Sequence, residues 1–533
     1  MDKMVKRGRL SIHLQKASQL SKEWGEGHPP SIRIQGLLGS GLPRAIFLLS
    51  ILAVLALLII SVVVAWPFTT DDAYIPLRYA SNWAHHGQLN WNLDDPERVE
   101  GYSSSLYMVL GFFAMKLSIS PTLFLKLFSI AALFGSLALV YDLTSRLSNR
   151  WFGLLAMAFY AGYYGTIWWG VSGLETPFYV LLALLSFKLY LASLEAPPSI
   201  ARGLLTGLST MVFFLGITRP EGPAIGIVLA ISLVLRSLIN KKRLKAFLID
   251  LTYLAGPFVI LYGAFFLARY SYFQEIWPNT YYFKTAFRGD PESLIKMFLA
   301  VAAYPLIFGL LGLKNRLKRE LLIPAYLYII LLVFLLHGVD PVIAHFNRHA
   351  SVAVSLTAMV FSLAIHEACR MKPILMVPVA TYLFLGQLFL NFGNVGNLQE
   401  SASLYHERNL ARMRLADWLG DQGINSYALG DAGIVPFMTP KSVVYDYYGL
   451  NSKAMRSAAL ADDKKSFFEW LLARRPDAVI VVSSHDRSWR PRNSTQRFLA
   501  QEFCREHGYD DEGISFGGTK DKYYYRVLRR RTP

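Results

Sequence analysis

The sequence predicts a polytopic α-helical membrane protein of about eleven transmembrane helices that carries a C-terminal extracytoplasmic α/β domain. Three observations lead there. Of the 533 residues, 53% are hydrophobic and 17% charged, with 14% aromatic, a balance too apolar for an ordinary soluble chain. Apolar runs long enough to cross a bilayer recur from residue 46 to about residue 391 and then stop. The basic residues between these runs fall on alternate links, the pattern left by positive-inside insertion.

In chain order, residues 1–43 are basic and polar, contain Gly25, Gly27, Pro29 and Pro30, and lack an apolar period, so a cytoplasmic arm is expected. Ile46 to Trp66 is long enough to span and sits behind too long a leader for a cleaved signal, which makes it an uncleaved anchor. Further runs begin near Thr122, Trp151, Pro177, Gly203, Pro223, Ala246, Leu294, Leu321, Ser351 and Pro373. Arg146 and Arg150, Arg202, Lys241 to Lys245, Lys314 to Arg319, and Arg370 with Lys372 occupy every second link, which puts the N-terminus and those links in the cytoplasm. This parity requires that the twelve-residue apolar stretch Leu106 to Leu117 does not cross. The net charge of +17 therefore reads as topology and an interaction with membrane lipid, and nucleic acid is not expected as a partner.

The links on the opposite side carry the unusual residues. The first, 67–121, contains Thr70-Asp71-Asp72-Ala73-Tyr74 followed by Arg78, then Glu97-Arg98-Val99-Glu100-Gly101-Tyr102. Next come Ser172-Gly173-Leu174-Glu175-Thr176, Thr218-Arg219-Pro220-Glu221-Gly222, Pro278-Asn279-Thr280-Tyr281-Tyr282-Phe283-Lys284, and Asp340 with His345 and Arg348. Singly, each has a plain reading. Asp72 or Thr70 caps a helix, and an arginine or tyrosine at a membrane border snorkels or belongs to an aromatic belt. Together, on one side of the membrane, they describe a polar cavity, because ionisable groups at that depth are costly unless they face water, a partner or a substrate.

The ordered set Asp-Asp-Ala-Tyr, Glu-Arg-Val-Glu-Gly-Tyr, Ser-Gly-Leu-Glu-Thr, Thr-Arg-Pro-Glu-Gly, Pro-Asn-Thr-Tyr-Tyr-x-Lys and Gly-Asp-Ala-Gly-Ile-Val-Pro, running from about residue 44 to 450, resembles the bacterial GT-C membrane glycosyltransferases related to the mycobacterial arabinofuranosyltransferase AftB. The resemblance implies a GT-C-like transmembrane domain and an inverting enzyme of the cytoplasmic membrane. Such an enzyme moves a sugar, arabinofuranose-like, from a polyprenyl-phosphate donor to a cell-envelope glycan or glycoconjugate acceptor, using an aspartate of the first external loop. The chain departs from that pattern at Pro76, which moves the expected helix start to Tyr74. It departs again at Pro341-Val342-Ile343-Ala344-His345, which leaves the sugar open.

The chemistry fits the residue inventory independently. A lipid phosphate leaves without an acid, unlike the alkoxide of a glycoside, so one base and a set of cations suffice. Asp71 is expected as the base, carried over from the resemblance, with Asp72 pointing elsewhere to orient the acceptor. Arg219, Lys284 and Arg348 are expected to hold the phosphate. Arg78, Glu100, Tyr102, Glu175, Glu221, Asn279, Tyr281, Tyr282, Asp340 and His345 complete the expected substrate site. No cofactor is expected, and the only carboxylates that would meet around a divalent ion are Asp71, Asp72 and Glu175. A mannosyl- or aminoarabinosyl-transferase acting on protein or lipid A, and a lipid-linked sugar transporter, are the alternatives.

From about residue 392 to 533 the pattern turns mixed. Leu404 to Leu419, Ser466 to Arg474 and Ser494 to His507 read as helices. Tyr427 to Leu429, Ser442 to Tyr445, Ala478 to Val482 and Lys522 to Leu528 read as strands, and Arg529 to Arg531 as a solvated tail. A disulfide between Cys369 and Cys504 is not expected, since the topology puts them on opposite sides.

Overall fold

The computed structural model describes residues 42–241, 244–286, 296, 303, 305–335, 345–460, 464–486, 488–500, 507–518, 520 and 522–531. The chain divides into two units between Ala53 and Val54, and apart from the first half of the first helix everything described below lies in the second. Helix α1 (Leu42–Ala65) ends at Trp66-Pro67, and a one-turn 3₁₀ helix, Asp71–Ala73, leads into α2 (Tyr74–His86). That start is the one Pro76 imposes, because proline is tolerated only in a first turn. α2 closes on Gly87 at φ 72°, a left-handed cap that glycine adopts without penalty. The twelve-residue stretch forms α3 (Ser105–Lys116), capped by Ser104, which accepts from the Tyr107 amide.

The membrane domain continues with α4 (Pro121–Leu147), α5 (Arg150–Gly162), α6 (Tyr164–Val171), α7 (Thr176–Glu195), α8 (Pro198–Thr218), α9 (Pro223–Ile239) and α10 (Leu244–Phe273). Pro121, Pro198 and Pro223 stand at first helical positions, where a missing N–H costs nothing. α11 (Asn279–Ala286), α12 (Arg316–Leu335), α13 (Ser351–Met371) and α14 (Pro373–Asp421) follow. Among the described residues, seven helices are long and apolar enough to cross a membrane. Several of their buried hydroxyls return hydrogen bonds to their own helices, as Ser136 to Ala132 O and Ser186 to Leu182 O at 2.8 Å, the local way to satisfy a polar group where water is absent. The protein is thus a multi-pass membrane protein.

α14 runs for 49 residues, and the boundary expected at residue 391/392 falls inside it. The helix persists after its apolar character ends because its far half packs on a sheet built from β1 (Ser426–Leu429), β2 (Val443–Asp446), β3 (Ala478–Ser483), β4 (Tyr509–Gly518) and β5 (Tyr523–Arg530) in the order β2-β1-β3-β5-β4. β1, β2 and β3 are parallel, and β3, β5 and β4 antiparallel. Short helices α15 (Ile434–Met438), α16 (Lys453–Leu460), α17 (Lys464–Arg474) and α18 (Ser494–Phe498) connect them. Arg529 and Arg530 belong to β5, and Arg530 and Arg531 are paired with Asp477 and Asp510, so this end is a paired strand and not a free tail.

Alternate residues of the sheet face opposite ways. Ala428, Val479 and Val481 pack with Phe468, Leu471 and Leu499, whereas Tyr427, Leu429, Ile480, Val482 and Tyr525 share one apolar core with Ile75, Tyr79 and Ala80 of α2 and with Trp91 and Tyr102. The sheet is therefore fused to the first loop by a common hydrophobic core.

Candidate active site

The segment leading to the two aspartates is pinned from both sides. Lys126, on α4 and buried, donates its ammonium to the carbonyl oxygens of Trp66 and Phe68, the latter at 2.7 Å, and to Thr69 Oγ1 at 3.0 Å. Asn409 Nδ2 of α14 donates to Thr69 O at 2.7 Å, and the Thr70 amide donates to Ser172 O at 3.1 Å. Thr70 makes no side-chain capping bond.

Asp71 and Asp72 then diverge, since successive residues of a 3₁₀ turn project about 120° apart. Asp71 turns toward the sheet domain. Its carboxylate accepts from the amides of Gly433 (3.1 Å) and Ile434 (2.9 Å) and lies 3.4 Å from Arg412 Nε. Burial pushes its pKa up to about 6, against the pull of Arg412. Arg412 is held in turn by Asp431 Oδ2 (2.9 Å), Asn409 Oδ1 and the Tyr525 hydroxyl. Asp431 would also be raised by burial, but Arg412 and the hydroxyls of Tyr525 and Tyr523 more than offset this and hold it below the usual carboxylate range.

Asp72 is exposed and faces a cavity of about 470 Å³. The two carboxylates point apart, as expected, but the one on the cavity wall is Asp72 and not Asp71, because the Gly433 and Ile434 amides claim Asp71 from the other side. Phe68, Ile75 and Pro76 form one wall, Gly101 to Ser104 a second, and Trp168, Trp169, Leu174 and Glu175 a third, with Thr280, Arg348, Tyr405 and Leu450 completing it.

Behind the cavity lies a charge cluster. Glu175 Oε1 accepts from Arg219 Nη1 (2.7 Å) and Arg348 Nη2 (3.0 Å), and Arg219 Nε donates to Glu221 Oε1 at 2.6 Å. His349 Nδ1 contacts both Arg219 and Glu221. Arg219 is buried and its fork is taken up by two carboxylates, so it is a structural partner of Glu175 and Glu221 and does not line the cavity. Glu221 is likewise its partner. Arg348, stacked over Trp169 at 5.4 Å, is the arginine on the cavity wall.

Other expected site residues serve elsewhere. Arg78, 1% exposed, uses every N–H: Nε donates to Trp91 O, Nη1 to Pro436 O and Thr439 O, Nη2 to Asn92 Oδ1 and Ser442 O. It welds α2 to the sheet domain and has no donor left for a substrate. Asn279 donates to Gly449 O and Leu450 O at 2.7 and 2.9 Å, again as a stitch to that domain. Glu100 is paired with Arg269 at 2.6 Å and borders a second cavity of about 300 Å³ with Tyr262, Phe265, Phe266 and Trp277. Tyr102 stands in the main wall, braced edge-on by Tyr79. Tyr281 and Tyr282 are not among the lining residues; Tyr282 packs under Arg456 at 4.7 Å. Asp340 and the side chains of Lys284 and His345 lie outside the described residues. Asp71, Asp72 and Glu175 do not converge, and among the described residues no group of three or more His, Cys, Asp or Glu is placed to hold a metal ion.

Sequence reasoning missed Lys126, Trp168, Trp169, Tyr405, Asn409 and Arg412. Lys126 carried a signal, a cation six residues into a membrane-length run. Arg412 carried none, being one of three arginines in the polar part of a long helix.

Comparison with known proteins adds to this geometry. Residues 402–524 match the family described as a domain of unknown function, DUF8728. No curated protein matches the sequence. Among solved structures, ArnT from Cupriavidus metallidurans in the apo state is similar over 90% of this chain and 97% of its own, with a TM-score of 0.59 at 12% identity, and the same protein bound to undecaprenyl phosphate scores 0.53 at 11%. The mycobacterial arabinofuranosyltransferase AftD is similar over 91% of this chain and 41% of its own, with a TM-score of 0.54 at 13% identity. The Archaeoglobus fulgidus oligosaccharyltransferase covers 83% of this chain and 72% of its own, with a TM-score of 0.51 at 10%. The chain thus has the fold of the GT-C glycosyltransferases.

Proposed function

We propose that the protein is an inverting glycosyltransferase that uses a polyprenyl-phosphate sugar donor and a cell-envelope glycan or glycoconjugate acceptor. The single observation that carries this reading is that Asp72, an exposed carboxylate, and Arg348, a guanidinium, border one aromatic-walled cavity of about 470 Å³, a volume suited to a sugar phosphate. Asp72 takes the proton of the acceptor hydroxyl as its oxygen bonds to the anomeric carbon. The bond from that carbon to the phosphate oxygen breaks on the opposite face, and the phosphate leaves beside Arg348. Trp168, Trp169, Tyr102 and Tyr405 wall the sugar and keep water out. An arabinofuranose-like sugar is the preferred donor, since the similar solved structures include an arabinofuranosyltransferase, and mannose or aminoarabinose is the second choice.

Supplying purified protein with a panel of polyprenyl-phosphate sugars, and following which is consumed, tests the class. Asp72→Asn should lower turnover by about 10² to 10⁴, the usual contribution of a general base, with donor binding retained. Near-normal turnover by that variant, or consumption of no lipid-linked sugar, overturns the reading. The reaction is placed on the outer face of the cytoplasmic membrane, with a cytoplasmic N-terminus, from the basic links. A cysteine introduced at exposed Glu512 should then react with an impermeant maleimide in cells with a sealed cytoplasmic membrane.

A further inference from the structure

We propose that the C-terminal sheet domain is a working part of the active site: through Gly433, Ile434 and Arg412 it grips Asp71, and so holds the neighbouring Asp72 toward the cavity. Asp71 is on this account a positioning residue and not the base. The inference rests on the reading of Asp72 as base, and it gives this chain's domain of otherwise unassigned role a definite task.

Four observations converge. The grip is two-handed, because both carboxylate oxygens of Asp71 accept a backbone N–H, at 3.1 and 2.9 Å, while Arg412 supplies the opposite charge at 3.4 Å. Charge-assisted bonds of this kind are among the stronger ones in proteins. Arg412 is itself fixed by Asp431, Asn409 and the Tyr525 hydroxyl, so the grip is anchored in β5 and in the loop after β1.

The approach is also as close as a backbone allows. A Cβ added to Gly433 would stand 2.1 Å from the Asp71 carbonyl oxygen and 2.4 Å from its Cγ, so no other residue fits without moving the 3₁₀ turn. The domain is present at the reaction cavity as well, since Tyr405 and Leu450 line it and Asn409 holds Thr69 O two residues before Asp71. Lastly, Asp71 is absent from the cavity wall, whereas a base must reach within about 3 Å of the hydroxyl it deprotonates.

The test compares Asp71→Asn, Gly433→Ala and Asp72→Asn, with Arg412→Lys as a milder variant should either of the first two fail to fold. Arg412→Lys keeps the charge but has no planar fork to join Asp71 to Asp431 and Asn409. Two readouts are taken. Hydrogen exchange should show the amides of Gly433 and Ile434 and of residues 71–74 opening at least about tenfold faster in Asp71→Asn and Gly433→Ala. Turnover should fall about 10- to 100-fold in both, the scale of a slightly misplaced reacting group. The KM for donor should stay within about twofold, and Asp72→Asn should lose more than either.

Unchanged exchange and normal turnover in Gly433→Ala would overturn the proposal. So would an Asp71→Asn as inactive as Asp72→Asn beside a Gly433→Ala that opens the turn yet turns over normally, because Asp71 would then be the base. If the wild type consumes no lipid-linked sugar, the glycosyltransferase reading fails by itself. The exchange data still decide whether the sheet domain holds the turn.

Discussion

Glu175→Gln probes the charge balance of the cavity with a signed outcome. In the native cluster Arg219 and Arg348 are matched by Glu175 and Glu221, and the amide leaves one positive charge in excess. Arg348 loses its carboxylate partner at 3.0 Å and keeps, among the described residues, Thr176 Oγ1 at 3.4 Å and the Trp169 ring, whereas Arg219 keeps Glu221 at 2.6 Å. Breaking a buried pair while leaving its partner in place costs about 3–5 kcal/mol. The surviving Glu221 and the amide carbonyl place this case at the lower end, so a measurable fall in the unfolding midpoint is expected.

Donor binding should move the other way. Glu175 lines the cavity, and a phosphate bound by Arg348 would feel its carboxylate as a like charge. At a separation of about 8 Å and an effective dielectric of about 20, removing that charge is worth about 2 kcal/mol, or roughly tenfold or more in affinity. Equilibrium binding of a fluorescent polyprenyl phosphate at low and high salt, beside a thermal-unfolding curve, reads both effects. Weaker or unchanged binding by a folded Glu175→Gln protein would show that the phosphate does not sit at Arg348.

Two further outcomes follow from the same geometry. Lys126→Met removes a charged donor from the Phe68 and Thr69 oxygens and from the Trp66 carbonyl; bonds of this type contribute about 1.5–3 kcal/mol each. The variant should melt earlier and turn over more slowly at unchanged donor affinity, and normal turnover would show that this loop does not set the position of Asp72. For pH, burial raises Asp71 from an ordinary 3.8 to about 6, so the folded state holds this proton more tightly than the unfolded state. Its contribution to stability is thus greatest in acid and is lost, to the extent of about 3 kcal/mol, as pH rises from about 4 to about 6. Activity should run oppositely. Protonation below about 6 discharges the grip on Arg412, so turnover should fall on the acid side while the fold holds, and Asp71→Asn should flatten that limb.

Much of this protein was determined by the sequence alone, and for local reasons. Membrane-length apolar runs, basic links and helix-starting prolines act within one or two turns of the chain, so the helical membrane domain, the α2 start at Tyr74 and four of the five β-strands stand close to where the pattern put them. Of the polar residues that hydropathy set on one side, Asp72, Tyr102, Glu175 and Arg348 meet at one cavity. β4 escaped because Tyr509–Gly518 runs from one buried residue through an exposed stretch to a half-buried one, with Gly513 at φ 71° and a register shift between Asp511 and Ser515, so no alternation marks it. The continuity of α14 past residue 391 was hidden because its support changes from lipid to sheet without a break in the backbone.

Only the tertiary structure decided what each charged side chain does. Arg78, Arg219 and Asn279 look like substrate ligands in sequence, but a charge is satisfied by whatever packing brings within hydrogen-bond reach. For Arg78 that means carbonyls of residues 436, 439 and 442. The choice between two adjacent aspartates is the sharpest case. Asp71 and Asp72 are the same residue type on the same turn, and what separates them is a pair of backbone amides, Gly433 and Ile434, 362 and 363 residues away. Their position follows from how a five-stranded sheet packs on α2, an arrangement of distant surfaces that no local pattern encodes.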